Sequence, residues 1–254
     1  MLDAGLPVRA FFTERSGGTS VGDFASLNVA GHVGDSPEAV ARNRALVSEQ
    51  AGAPVTFLAA EHGVRVARID APTDSPPVAD ILLTTTPGVA LAAIAADCVP
   101  FLLHDPMTGA VAAVHAGREG LFKGAVDAAV AAMLDLRPSR VGTAGISAAI
   151  GPAICGSCYE VPADMRARVG ARHPVAVSST RWGTPSLDIP RAIETRLAEL
   201  GIDPIVRHRA CTLEDERWFS HRRHAPTGRH AGVIVCEGPV GVSVPPRRDS
   251  ETYR

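Results

Sequence analysis

Apolar and polar positions along the chain follow two rhythms, one near two residues and one near three and a half. "PVRAFFTE" (7–14) reads as a strand, followed by a Gly/Ser-rich loop to about residue 35. A helix is predicted next, with Ser36 as N-cap, Pro37 at the first helical position, Glu38 at the positive end and Gly52 as the stop. "PVTFLAAEHGVRVARID" (54–70) reads as strand, a break at Gly63, then strand, with a Pro-rich loop over 71–78. "GVALAAIAA" precedes two apolar arms joined by Pro-Met-Thr-Gly, which read as a hairpin. The period then lengthens: Phe122, Val126, Val130 and Met133 predict a helix from about Leu121 to Leu136. "AGISAAIGPAICGSCYEV" reads as strand then glycine-rich turn. "DIPRAIETRLAELG" reads as a helix capped by Asp188, with Ile193, Leu197 and Leu200 on one face and Gly201 after its end. "PIVRHRACT" and "RHAGVIVCE" are late strands, and residues 239–254 read as a disordered tail. Strand pairs mixed with helices predict an α/β or α+β fold with some antiparallel pairing, in one domain over 1–238.

The hairpin poses a chemical question. Its first arm opens on Asp97 and Cys98, and its second closes on His115 among glycines. If Asp105 pairs with Ala110 across the turn 106–109, Cys98 faces Gly117 and His115 becomes its diagonal neighbour on the same face. Such diagonals stand roughly 7–8 Å apart or slightly less, so a thiolate and an imidazole can reach one ion, and a facing glycine leaves room for it. A one-residue slip would separate them. A catalytic zinc commonly takes three protein ligands, and the third by context is His62, beside Gly63. There is no HExxH and no pair of CxxC motifs, and a histidine at a strand end is equally a satisfied core residue; spacing leaves both readings open.

Composition narrows the partners. The 254 residues carry a formal net charge of -2, with no basic footprint for nucleic acid. Lys123 is the lone lysine, so positive charge rests on arginine, whose fork suits phosphate or carboxylate. The loop after the first strand lacks both GxxxxGK[ST] and GxGxxG. The longest apolar run, 89–96, is too short for a bilayer span. No secretory signal is legible, and the odd set of cysteines (98, 155, 158, 211, 236) argues against a disulfide framework, so a cytoplasmic setting is expected.

"FFTERSGGTS", "SLNVAGHVGD", "NR" at 43–44, "EHGVRV", "ADCVPFLL", "AAVHAGREG", "AIGPAICGSCYEV", "CT" at 211–212, "FSHRRH" and "TGRHAGVI" occur in order over most of the chain. Together they resemble the YfiH family, also called the laccase-domain or multicopper polyphenol oxidase family. The resemblance implies a single mixed β-sheet sandwich flanked by helices, related to cysteine-hydrolase-like toxin domains. It also implies zinc on His62, Cys98 and His115, and monomers or homodimers. The implied activity is a purine nucleoside phosphorylase that also deaminates adenosine, with nucleoside and phosphate as small-molecule partners and no membrane partner. Arg15, Asn43, Arg44, Arg222 and Arg223 match family positions suited to an anion or substrate, and Glu160 follows the matched Cys158. Two positions depart: Glu61 stands for a glutamine, and "HAGREG" puts Arg118 and Glu119 where the family has an aromatic and an arginine. Glu119 would repel a phosphate bound there; Arg118 is the replacement, although neighbours on extended backbone point apart.

The residues also sort the chemistries. Nine histidines occur, none in an HxH pair, which argues against a laccase cluster; copper on the His-Cys-His set would be adventitious. For deamination, Asp97 and Glu61, each beside a ligand, are the proton carriers to test. Cys155 and Cys158 form a CxxC, but without a second pair and outside the context of a redox helix. Two other readings remain. One is a cysteine hydrolase with Cys98 as nucleophile and His115 as base, editing an amide such as a peptidoglycan precursor. The other is a non-catalytic partner protein stabilised by zinc.

Overall fold

The structure, a computed structural model, describes residues 1–138 and 141–239. The expected disordered tail lies outside the described residues from 240 onward. The chain begins with β1 (Leu2–Asp3), β2 (Ala10–Phe12), α1 (Pro37–Ala51), β3 (Val55–Phe57), β4 (Val66–Arg68) and β5 (Ile81–Thr84). The central strands follow as β6 (Ala90–Ala95), β7 (Val99–His104) and β8 (Val111–Ala116). After them come α2 (Arg118–Lys123), α3 (Ala125–Leu134), β9 (Ser147–Ile150), α4 (Ala163–Arg172), β10 (Val177–Ser179) and β11 (Pro185–Leu187). The last elements are α5 (Ile189–Glu199), β12 (Ile205–Arg207) and β13 (His230–Val235).

Two mixed sheets pack on each other. One has strand order β1-β2-β13-β6-β3, the other β12-β9-β7-β8-β5-β4, and β10 and β11 form a separate hairpin. The central strands β9, β7, β8 and β5 of the second sheet are buried on both faces. Leu102, Val111 and Ala113 point at the first sheet's Leu91, Ala93 and Val233. Phe101, Leu103, Ala112 and Val114 point the other way, onto Leu121, Val126 and Met133 of α2 and α3 and Ile193 and Leu197 of α5. That is why β7 and β8 read as unbroken apolar runs instead of alternating ones. No helix among the described residues is long and apolar enough to cross a membrane.

The hairpin register is the expected one. Val99 pairs with Ala116 and Pro100 with His115, and the Asp105 amide donates to the Ala110 carbonyl at 2.9 Å. Asp105 builds the turn: its carboxylate accepts from Met107 N at 2.9 Å and Thr108 Oγ1 at 2.8 Å. Arg137, beyond α3, closes on the same carboxylate at 2.6 and 2.8 Å, a pair with almost no exposure. α1 and α5 carry their expected caps, Ser36 Oγ accepting from Ala39 N and Asp188 from Arg191 N.

The helix expected over 121–136 is instead two. α2 starts at Arg118, because Gly117 is its N-cap, and Gly124 at φ 96° separates it from α3. A left-handed backbone is open to glycine and strained for other residues, so the apolar period continues while the axis does not. The first strand is also shorter than 7–14, reduced to Ala10–Phe12.

Candidate functional site

Three donors meet at one end of the sandwich. Nitrogens of His62 and His115 and the Cys98 sulfur lie within 4.8 Å of one another. Cys98 Sγ is 3.8 Å from His62 Nε2, and the two imidazoles stand edge to face with centroids 4.8 Å apart. Cys98 and His115 share the inter-sheet face, as the diagonal pairing requires. Gly117 makes the space: a Cβ there would sit 2.7 Å from Cys98 Sγ and 3.1 Å from His62 Cδ2.

Asp80, immediately before β5, organises this set, and no motif marks it in the sequence. Its fully buried carboxylate accepts from His115 Nδ1 at 2.9 Å, His62 N at 3.0 Å and Gly63 N at 2.7 Å. Nδ1 of His115 is thereby the donor to Asp80, and Nε2 is the atom left for Cys98 or an ion. Burial pushes the Asp80 carboxyl up, and the His115 ring with the two amides outweighs it, holding the group below its usual range. Burial likewise pushes the Cys98 thiol up, but the His115 charge and hydrogen bonds from both imidazoles bring it down to about 6. His115, lowered by burial and raised more by Cys98 and Asp80, stands at about 9. A thiolate–imidazolium pair results. His62 lies on exposed backbone at φ 59°, with Lys123 Nζ donating to its carbonyl at 3.1 Å.

The donors open into a cleft of about 290 Å³, whose walls include Asp97, Tyr159, Arg222, Arg229, His32 and His221. Asp97 enters the cleft beside Cys98 because its φ of 86° breaks strand alternation between β6 and β7. Its carboxylate accepts from Thr212 Oγ1 at 2.6 Å and from Arg222 N at 2.7 Å. Arg222 also lies over the Tyr159 ring at 4.9 Å and donates to the Glu160 carbonyl at 2.9 Å.

The other singled-out residues sit elsewhere. Glu61 is exposed and pairs with Arg65 at 3.1 Å. Arg15 donates to the Ala25 carbonyl and lies over Phe219. Asn43, fully buried, ties the preceding loop together through Thr19 N, Ser20 Oγ and the carbonyls of Ser26 and Asn28. Arg44 donates to the Val29 carbonyl and covers Phe57. Arg223 clamps the carbonyls of Thr212, Leu213 and Trp218. The Glu160 carboxylate accepts from Trp182 Nε1 at 2.7 Å. Arg118 and Glu119 are not on extended backbone; they open α2 and pair with each other at 3.1 Å. Arg168 reaches the same Glu119 carboxylate at 3.5 Å, so that charge is compensated away from the cleft wall.

A family model described as "Multi-copper polyphenol oxidoreductase laccase" matches residues 9–237. A Streptomyces coelicolor protein named purine nucleoside phosphorylase is 46% identical over 228 residues, covering 88% of this chain and 93% of that one. A Mycobacterium tuberculosis protein of the same name is 42% identical over 234 residues, covering 91% and 92%. Among solved structures, a Neisseria meningitidis protein of the DUF152 family has a TM-score of 0.82 at 35% identity, over 91% of this chain and 95% of that chain. YlmD of Geobacillus stearothermophilus has a TM-score of 0.80 at 29% identity, over 92% and 95%. The chain belongs to the multi-copper polyphenol oxidoreductase laccase family, the laccase-like group of YfiH and DUF152 proteins.

Proposed function

We propose that this chain is a zinc-dependent purine nucleoside phosphorylase that also deaminates adenosine. One observation carries the reading: the His62–Cys98–His115 donors, Arg222 and Arg229 line a single cleft of about 290 Å³, with Arg229 held there by Nη1 bonds to the Thr227 and Gly228 carbonyls. The names of the relatives support the phosphorylase part. The donor set fits zinc, since two imidazoles and a thiolate converge, Asp80 fixes one ring, and Gly117 keeps the space beside the sulfur clear. When bound, zinc supplies Lewis acidity to the cleft; copper at the same donors is adventitious.

The chain's own residues do the rest. Arg222 and Arg229 hold phosphate by charge-assisted hydrogen bonds. A phosphate oxygen joins ribose C1′ as the bond to the purine nitrogen breaks, releasing base and ribose 1-phosphate. Adenosine, inosine, guanosine and methylthioadenosine share this chemistry. For deamination, in which water replaces the 6-amino group and ammonia leaves, Asp97 moves protons. Each of its oxygens keeps a lone pair beyond the bonds from Thr212 and Arg222. Purified protein of known metal content, given adenosine with and without phosphate, tests this by chromatography. Adenine formed only with phosphate, inosine formed without it, hypoxanthine formed only when phosphate is also present, and loss of all three in Cys98→Ala are expected. Normal turnover by that variant rules the reading out.

A second reading rests on the charge pair. Cys98 near 6, His115 near 9 and Asp80 on the far nitrogen stand in the order of nucleophile, base and orienting acid. The kinship with cysteine-hydrolase-like toxin domains that the family resemblance implies would point the same way, toward an amide in a cell-wall precursor. Full activity of chelator-stripped protein favours this second reading, and loss of activity favours the first.

A further inference from the structure

Away from the cleft floor, three more sulfurs come together. The turn after β9 carries Cys155 and Cys158, and the segment after β12 carries Cys211. Their sulfurs and a Glu214 carboxylate oxygen lie within 4.8 Å of one another, the same limit that encloses the His62–Cys98–His115 donors. Sulfurs on a tetrahedral zinc, bonded at roughly 2.3 Å, stand roughly 3.8 Å apart, so a contraction of about 1 Å closes the set. The sequence pattern lacked a second CxxC; the fold supplies the missing donors from a distant segment.

The surrounding backbone is arranged to match. Cys158 N and Tyr159 N both donate to the Cys155 carbonyl, at 3.0 and 2.9 Å, closing a turn that presents two sulfurs. Glu214 N and Asp215 N donate to the Cys211 carbonyl at 3.1 and 2.9 Å, closing a second turn. Cys155 N points at Cys211 Sγ, 3.4 Å away, which joins the two turns through an N–H to sulfur contact. A cation already sits at the rim: Arg181 Nη2 is 2.7 Å from Cys158 Sγ and pairs with Glu214. A guanidinium shared between a sulfur and a carboxylate marks local negative charge, and at 53% exposure this side chain swings out easily.

We propose that Cys155, Cys158, Cys211 and Glu214 form a second, structural zinc site. Three thiolates select a thiophilic ion, and the carboxylate favours zinc over copper(I). Its position gives it a use. Tyr159, next to Cys158, lines the cleft, and Thr212, next to Cys211, holds Asp97 at 2.6 Å. An ion joining the two turns fixes the wall that faces the first donor set. This inference does not depend on the nucleoside chemistry: a chain inactive on nucleosides still carries the ion.

The test uses the full chain, reduced, stripped with chelator and titrated with zinc or cobalt(II). Wild type takes up about two equivalents of zinc, and Cys98→Ala about one. With cobalt(II), Cys98→Ala gives sulfur-to-metal charge transfer and the intense visible bands of a tetrahedral thiolate site. Both disappear when Cys211→Ala is added, and Glu214→Gln in the same background weakens cobalt affinity at least tenfold. A folded Cys98→Ala chain, checked by circular dichroism, that binds no zinc overturns the proposal, as does one whose cobalt spectrum survives Cys211→Ala. If the Cys211 variant does not fold, the exposed Glu214→Gln change decides: unchanged affinity overturns the carboxylate-completed site. Wild-type uptake of about one equivalent that Cys98→Ala abolishes does so too.

Discussion

At the residue scale, one carboxylate carries the donor set. Asp80 holds the His115 ring and the backbone of His62 and Gly63 together. Asp80→Asn keeps the shape but exchanges a charged acceptor for an amide that must find a partner for its own N–H groups. Zinc affinity at the cleft is expected to fall roughly 10- to 100-fold with the fold retained, read by competition with a coloured chelator. The charge pair makes a pH prediction for the metal-free chain. The Cys98 thiol is depressed to about 6, so its thiolate is present above that value and lost as pH falls through it. His115 is raised to about 9, so its share of the stabilisation is complete at low pH and lost as pH rises through 9. The pair is therefore intact from about 6 to about 9. Alkylation of Cys98 by iodoacetamide should rise with a midpoint near 6, where an ordinary thiol gives roughly 8.5. His115→Ala moves that midpoint up. Cys98 and His115 were legible from their places in the hairpin. Asp80 was not, because "VADILL" looks like any strand entrance and only pairing with β8 brings the carboxylate under the ring.

At the element scale, the β7–β8 hairpin is the frame. Its register was legible because the four-residue turn, with Asp105 opposite Ala110, sets the pairing of both arms, and a slip would have parted Cys98 from His115. The helix after it was read less well. Apolar spacing reports which face is buried and says nothing of a left-handed residue within the period, so Gly124 went unseen as a break. The turn is clamped from outside by the buried Asp105–Arg137 pair, in which Arg137 also donates to the Gly142 and Ala144 carbonyls. Burial pushes the Asp105 carboxyl up, and Arg137, Thr108 and the Met107 amide hold it below its ordinary range. Removing one partner leaves a desolvated charge behind. Arg137→Ala should cost about 3–5 kcal/mol in urea denaturation, more than any exposed arginine substitution.

At the scale of the whole molecule, the cleft is made from segments far apart in the chain. His32, Arg222 and Arg229 come from loops that only the stacking of the two sheets brings beside Cys98. The family resemblance named Arg222, whereas Arg229 and His32 lie within matched segments without being singled out, since spacing cannot report a meeting across such distances. Asn43, Arg44 and Arg223 were singled out by the same resemblance and turn out to tie loops and carbonyls together. If Arg222 and Arg229 hold the anion, Arg222→Ala and Arg229→Ala should each raise KM for phosphate at least tenfold, on the scale of a lost charge-assisted hydrogen bond. Glu119→Gln should leave it within about twofold, because Arg118 and Arg168 already answer that charge. Both are read from initial rates over a phosphate series.

The donors also differ in footing. Cys98 and His115 stand on or beside the rigid hairpin, while His62 rides an exposed bend whose carbonyl is held by the chain's lone lysine. If these donors hold an ion, the hairpin pair would be the fixed part of the grip, and the His62 bend, anchored through Asp80 and Lys123, the part that would have to give for release. Cutting the Lys123 tether should quicken metal exchange while the equilibrium donor set stays the same.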